Sequence, residues 1–121
     1  MPEFPTLDRC AAFVAARTAA SAAARAARHW PIALADRARR EAVAAMEVTA
    51  EATAHPHASL DRRRCLRAAI ARAIGVTDAV DHARALGFAD PELDELARAA
   101  GRTVALLAMF FHANTSALCA P

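Results

Sequence analysis

Four arginines, Arg62, Arg63, Arg64 and Arg67, crowd the stretch that follows Ser59 and Leu60. If that stretch opens a helix, they occupy its first two turns. Positive charge there opposes the helix dipole, so the cluster does not serve the stability of its own helix. Two accounts stay open. In one, the C-terminal carbonyls of the preceding helix lie beside this corner and accept the charge. In the other, the cluster binds an anion together with Arg72: the phosphate backbone of a nucleic acid, or an acidic protein partner. Arg37, Arg39 and Arg40 lie toward the far end of the preceding segment and would not extend such a patch. No aromatic residues interleave with the cluster, so stacking on single-stranded bases is not expected.

The other chemistry-bearing residues form no established pattern. His29, His55, His57, His82 and His112 are scattered. His55-Pro56-His57 could pinch a metal, with Glu51 as a third donor. Two histidines in a joint, with no carboxylate or thiolate adjoining them in the sequence and Glu51 the nearest, make a weak site, however, and no metal is expected. His82 lies four residues from Asp78 and next to Asp81, which favours a surface ion pair. Glu41, Glu47 and Glu51 share one segment and read as a solvated row paired with Arg37 or Arg40. The paired Glu-x-x-His signature of di-metal bundles is missing, since the segment after Ser59 has no glutamate. Cys10, Cys65 and Cys119 form no CxxC pair, and their odd number argues against a disulfide framework. Each is expected to be a small core hydrophobe or a helix-end thiol. There is no Gly-rich phosphate loop, no Ser-His-Asp arrangement and no nucleophile elbow. The expectation is therefore a non-enzyme without cofactor or small-molecule substrate.

The elements that would position these residues follow from composition. The 121 residues suit one domain, 1–121. About three residues in ten are alanine, the strongest helix former, and only three are glycine. All fifteen basic residues are arginine, a usage that with so much alanine suggests a GC-rich bacterial genome. The net charge of +2 is low for a surface that binds nucleic acid throughout. The start of the chain shows no basic region followed by an apolar run, and Val104 to Phe111 is far shorter than the ~20 residues that span a bilayer. The expected compartment is the cytoplasm, with no membrane partner.

Breakers and caps divide the chain into four helices, near 7–28, 31–54, 60–86 and 91–115. Thr6 is a candidate N-cap for the first, whose small-residue face runs through Leu7, Cys10, Val14, Ser21 and many alanines. Pro31 opens the second in its first turn. Leu34, Ala38, Ala42, Ala45, Met46, Thr49 and Ala52 then recur at helical spacing. Pro56 ends that helix and Ser59 caps the third, along which Leu66, Ile70, Ala73, Thr77, Val80 and Leu86 form a stripe. Gly87 stops it in a left-handed conformation, and Phe88 can fold back on the last turn. Asp90-Pro91-Glu92 reads as N-cap, first-position proline and first-turn acid of the fourth. The tail from Ser116 is expected to fray. Short joints between long helices give an all-α, antiparallel up-down-up-down four-helix bundle.

Alanine seams allow close helix approach but bury little apolar area. Val104, Leu106, Leu107, Met109, Phe110 and Phe111 meanwhile span more of the fourth helix than one core face requires. The expectation is that this excess, with Phe13 on the first helix as a second contact, forms a homo-oligomer interface. The competing reading is that the first helix or the tail covers it.

The second to fourth helices resemble a bacterial family of small four-helix-bundle proteins. The family includes proteins encoded in intervening sequences of 23S ribosomal RNA genes and the accessory variability protein of diversity-generating retroelements. Its helix-2 run, R-x-A-x-S-I-x-x-N-I-A-E-G, is matched in small-residue rhythm by Arg39 to Ala52, with Ala50-Glu51 in place of the A-E pair and Ala52 where the family has Gly. Ser59 stands where a serine opens the family's helix 3. Ala83, Leu86, Gly87 and Phe88 match its A-x-x-L-G-[YF] ending, and Asp94-Glu95-Leu96 resembles its helix-4 start. The resemblance implies a bundle that assembles into a ring, often a pentamer, with no enzymatic activity. The retroelement member is a basic adaptor for a reverse transcriptase and nucleic acid; this near-neutral chain carries over the fold and the ring but not that partner.

Overall fold

Alanine-rich segments become helices wherever no cap or proline stops them, and the breakers set the bounds. The computed structural model describes residues 7–119. Over these residues the chain is an all-α bundle of four helices: α1 (Ala11–Ala26), α2 (Ile32–Ala54), α3 (Leu60–Ala85) and α4 (Pro91–Cys119). Each packs against its predecessor and α1 packs against α4, which closes the antiparallel square.

The predicted caps form at two starts and one end. The Leu93 amide donates to the Asp90 carboxylate at 2.8 Å, and the Arg62 amide to Ser59 Oγ at 3.1 Å. Side-chain caps of this kind stabilise by about 1 kcal/mol each. Gly87 takes φ +98°. The amides of Gly87 and Phe88 then close on the carbonyls of Arg84 and Ala83 at 3.0 and 3.1 Å, a complete Schellman ending. The folded-back Phe88 ring rests 6.4 Å from that of Trp30, a buried residue of the first joint.

Other boundaries differ from expectation. The first segment is divided into a 3₁₀ turn (Leu7–Arg9), helix α1 and a second 3₁₀ turn (Ala27–His29); Cys10 adopts an extended backbone and separates the first turn from α1. Thr6, the expected cap, lies outside the described residues. Pro31 is the N-cap position of α2 rather than its first turn. Helix α4 continues past Thr115 to Cys119. Ser21 and Leu86, expected on buried stripes, are exposed; Ala69, Val76, Ala79 and Ala83 fill the α3 stripe instead.

The core has two parts. One surrounds Trp30, Leu34, Val76, Val80, Leu93 and Leu96 near the first and third joints. The other surrounds Leu66 and Leu107 near the second joint. All seven buried residues of α1 are alanines. The buried polar side chains among the described residues are Thr49 and Thr103, and each returns its hydroxyl to its own helix, to the carbonyls of Ala45 and Ala99. The described interior therefore offers no carboxylate or imidazole for catalysis or metal chemistry.

Candidate functional site

The arginines at the start of α3 separate into three kinds. Arg62 donates to the carbonyl oxygen of His55, at the C-terminal end of α2, over 3.4 Å. This is the arrangement in which a neighbouring helix end accepts the charge. Arg63 and Arg67 turn toward α4, where their guanidinium carbons sit 5.4 and 5.6 Å from the centroid of the Phe111 ring. Cation–π contacts at such distances contribute about 0.5–1 kcal/mol when exposed and more when desolvated. Arg63 Nε is buried without a hydrogen-bond partner among the described residues. Arg64 is exposed. Leu60, Arg63, Arg64 and Arg67 line an open cleft of about 230 Å³. Arg72 does not join them, because its guanidinium pairs with Glu41 at 3.1 Å. The anion candidate thus contracts to Arg63, Arg64 and Arg67.

The carboxylate row also departs from expectation. Glu41 reaches across to Arg72 on α3 rather than along α2 to Arg37 or Arg40, and Arg40 donates instead to the Asp36 carbonyl. His82 and Asp78 form no ion pair.

The apolar residues of α4 are mostly turned inward. Leu107 is wholly buried, which corrects its assignment to an interface: it belongs to the subunit core. Val104, Leu106, Phe110 and Phe111 are partly buried and pack against the core around Leu66. Arg63 and Arg67 reach over from α3 and cover the Phe111 ring, which no spacing along α4 could reveal. Met109 remains exposed, at 56 %. Phe13 is half-buried, with the Arg17 guanidinium 5.8 Å from its ring centroid. Large apolar exposure falls chiefly on α2 and on α3 with its C-terminal cap: Ile32 (81 %), Leu60, Leu86, Ile74 and Val43. Ile32 adjoins a groove lined by Pro31, Ala33, Leu34, Arg37, His82 and Leu86. Leu86 departs from the core stripe that its spacing predicts, and Ile32 belongs to no predicted stripe. The signal that could have found them is the helical phase, since Ile32 falls outside the Leu34–Ala38 line.

A third grouping keeps Glu51 and His55 of the expected metal candidate and has Cys65 in the place of His57. The donor atoms of Glu51, His55 and Cys65 lie within 4.8 Å of one another. Glu51 and His55 are one turn apart at the end of α2, and Cys65 stands in the second turn of α3. Burial pushes the Cys65 thiol above its ordinary pKa, and the nearby carboxylates of Glu51 and Asp61 push it further. His57, the expected partner of His55, is exposed and outside this group. Among the described residues, no helix is long and apolar enough to cross a membrane.

No protein-family model matches this chain, and no curated protein is detectably similar to it.

Proposed function

We propose that this chain is a non-catalytic, cytoplasmic four-helix bundle that assembles with copies of itself into a ring and acts as a scaffold or adaptor. One observation carries the reading: most buried apolar residues of the described chain are alanines, while six large apolar side chains stay exposed. Helix α1 contributes only alanines to the core. Full burial of a Val, Leu or Ile is worth about 1.5–3 kcal/mol, and an alanine methyl much less. Ile32, Val43, Leu60, Ile74, Leu86 and Met109 nevertheless stand in water. A second copy seated on Ile32 and Leu86 would recover apolar burial that the subunit lacks. The family resemblance supports a closed ring and implies five copies.

Sedimentation velocity on the full chain tests this reading. Ile32→Glu and Leu86→Glu change exposed positions, so the bundle stays folded. We expect the unaltered chain to sediment as an oligomer and the two variants to dissociate. A monomeric parent chain would overturn the reading; assembly unmoved by either charge would remove this face from it.

A second reading, a nucleic-acid-binding adaptor, is favoured by one feature: three arginines share a cleft that, among the described residues, no acidic side chain lines. Duplex binding through phosphate contacts weakens with salt by about 0.9 log units per contact, so this cleft would give a slope no steeper than about −3. Binding that ignores salt, or survives Arg64→Ala with Arg67→Ala, would exclude it.

A further inference from the structure

The joint between α2 and α3 gathers three different metal-ligating groups from two helices. We propose that Glu51, His55 and Cys65 form a binding site for a divalent transition metal of the zinc class, which clips the end of α2 to the start of α3. The proposal is independent of the oligomer reading.

Geometry comes first. Zinc binds sulfur at ~2.3 Å, imidazole nitrogen at ~2.0–2.1 Å and carboxylate oxygen at ~2.0–2.2 Å. Tetrahedral ligand atoms are then about 3.3–3.8 Å apart. The three donors here lie within 4.8 Å of one another, so an inward movement of roughly 1 Å completes the set. Glu51 can supply it, because its side chain is exposed. Cys65 is held in place, packed against the core around Leu66. Glu51 lies in the last turn of α2 and His55, four residues on, is the residue that ends it, which keeps the two side chains near one another at the helix end.

Charge comes second. The last carbonyls of α2 carry partial negative charge toward the site. Burial, and after it the nearby charges of Glu51 and Asp61, make the thiol hold its proton more tightly than usual. A dication reverses the local field and displaces that proton on binding. Arg62 is the opposing charge, but it is engaged by the carbonyl oxygen of His55 and not by the imidazole.

Ligand type comes third. A thiolate and an imidazole select zinc or cobalt over calcium or magnesium, which take oxygen donors. Three protein ligands leave a fourth position to water.

Cobalt(II) is the probe. Added to the reduced, chelator-stripped full chain, it should bind at one ion per chain and give a sulfur-to-cobalt charge-transfer band that zinc abolishes. Cys65→Ser should remove the band. His55→Ala and Glu51→Ala should weaken binding at least about tenfold, since even outer-shell losses cost that much. Cys10→Ser, Cys119→Ser and His57→Ala should leave both intact. Zinc should also raise the melting temperature of the parent chain by more than that of Glu51→Ala, whose exposed change leaves the fold intact. The proposal is overturned if the parent chain gives no band, if the band survives Cys65→Ser, or if it is lost equally in Cys10→Ser.

Discussion

The carboxylate of Glu41 occupies the space in which a β-carbon on Gly75 would stand: such an atom would lie 2.8 Å from Glu41 Oε2 and 3.1 Å from its Cδ. Gly75 sits in the middle of α3 with ordinary helical geometry, where glycine is about 1 kcal/mol worse than alanine. What it permits is the close approach of α2, whose Glu41 turns to Arg72.

This relationship sets a double-mutant cycle. Gly75→Ala in the Glu41→Ala background should stabilise by about 0.8–1 kcal/mol, the full helix-propensity gain. In the parent chain the gain should fall by roughly half or more, because Glu41 must leave its position. Urea unfolding of the four proteins measures the coupling; strict additivity would mean that the close approach carries no cost.

The alanine seams predict a sharp contrast between neighbours. Ala23 is wholly buried in the core around Trp30 and Leu34, whereas Ala24 is exposed. Ala23→Leu forces extra carbons between closely packed helices and should cost about 1–3 kcal/mol. Ala24→Leu should stay within about 0.5 kcal/mol of the parent. Thermal or urea unfolding compares them.

The second joint holds Ala58 at φ +63°, in the left-handed region. Such a backbone costs a residue with a β-carbon about 1–2 kcal/mol. Ala58→Gly lifts that cost but returns about 0.4–1 kcal/mol through the freer unfolded chain. A net gain of roughly 0.5–1 kcal/mol should appear in the urea midpoint. A loss would mean that the joint is not strained there.

The Cys65 thiol, raised by burial and then by Glu51 and Asp61, gives stability a dependence on alkaline pH. Its folded pKa exceeds its unfolded value, so the unfolded chain releases the proton first. In chelated buffer its contribution is intact below the ordinary thiol range, near pH 8.5, and stability falls as pH rises through it. Cys65→Ala should flatten that decline, whatever it does to the absolute stability.

Punctuation made the fold legible in the sequence. Asp90-Pro91-Glu92, Ser59 and Gly87-Phe88 each act on neighbours within one turn, so residue type and spacing alone locate them. The first segment was less legible, because the extended backbone at Cys10 has no strong local breaker. The candidate sites were legible only in part. A helical wheel shows that α4 has more apolar surface than one face needs, but not that Arg63 and Arg67 arrive from α3 to cover Phe111. The division of the arginines depends on where α2 ends and where Glu41 points. The meeting of Cys65 with Glu51 and His55 depends on the register of α2 against α3, which short-range patterns do not encode.

The self-assembly proposed for this chain would cover the six large apolar side chains that a largely alanine-lined interior leaves exposed. Native mass spectrometry of the intact chain at micromolar concentration tests it most directly. An assembly at a whole-number multiple of the 12.8 kDa chain is expected, with five copies the expected number. A single species at the mass of one chain would contradict it.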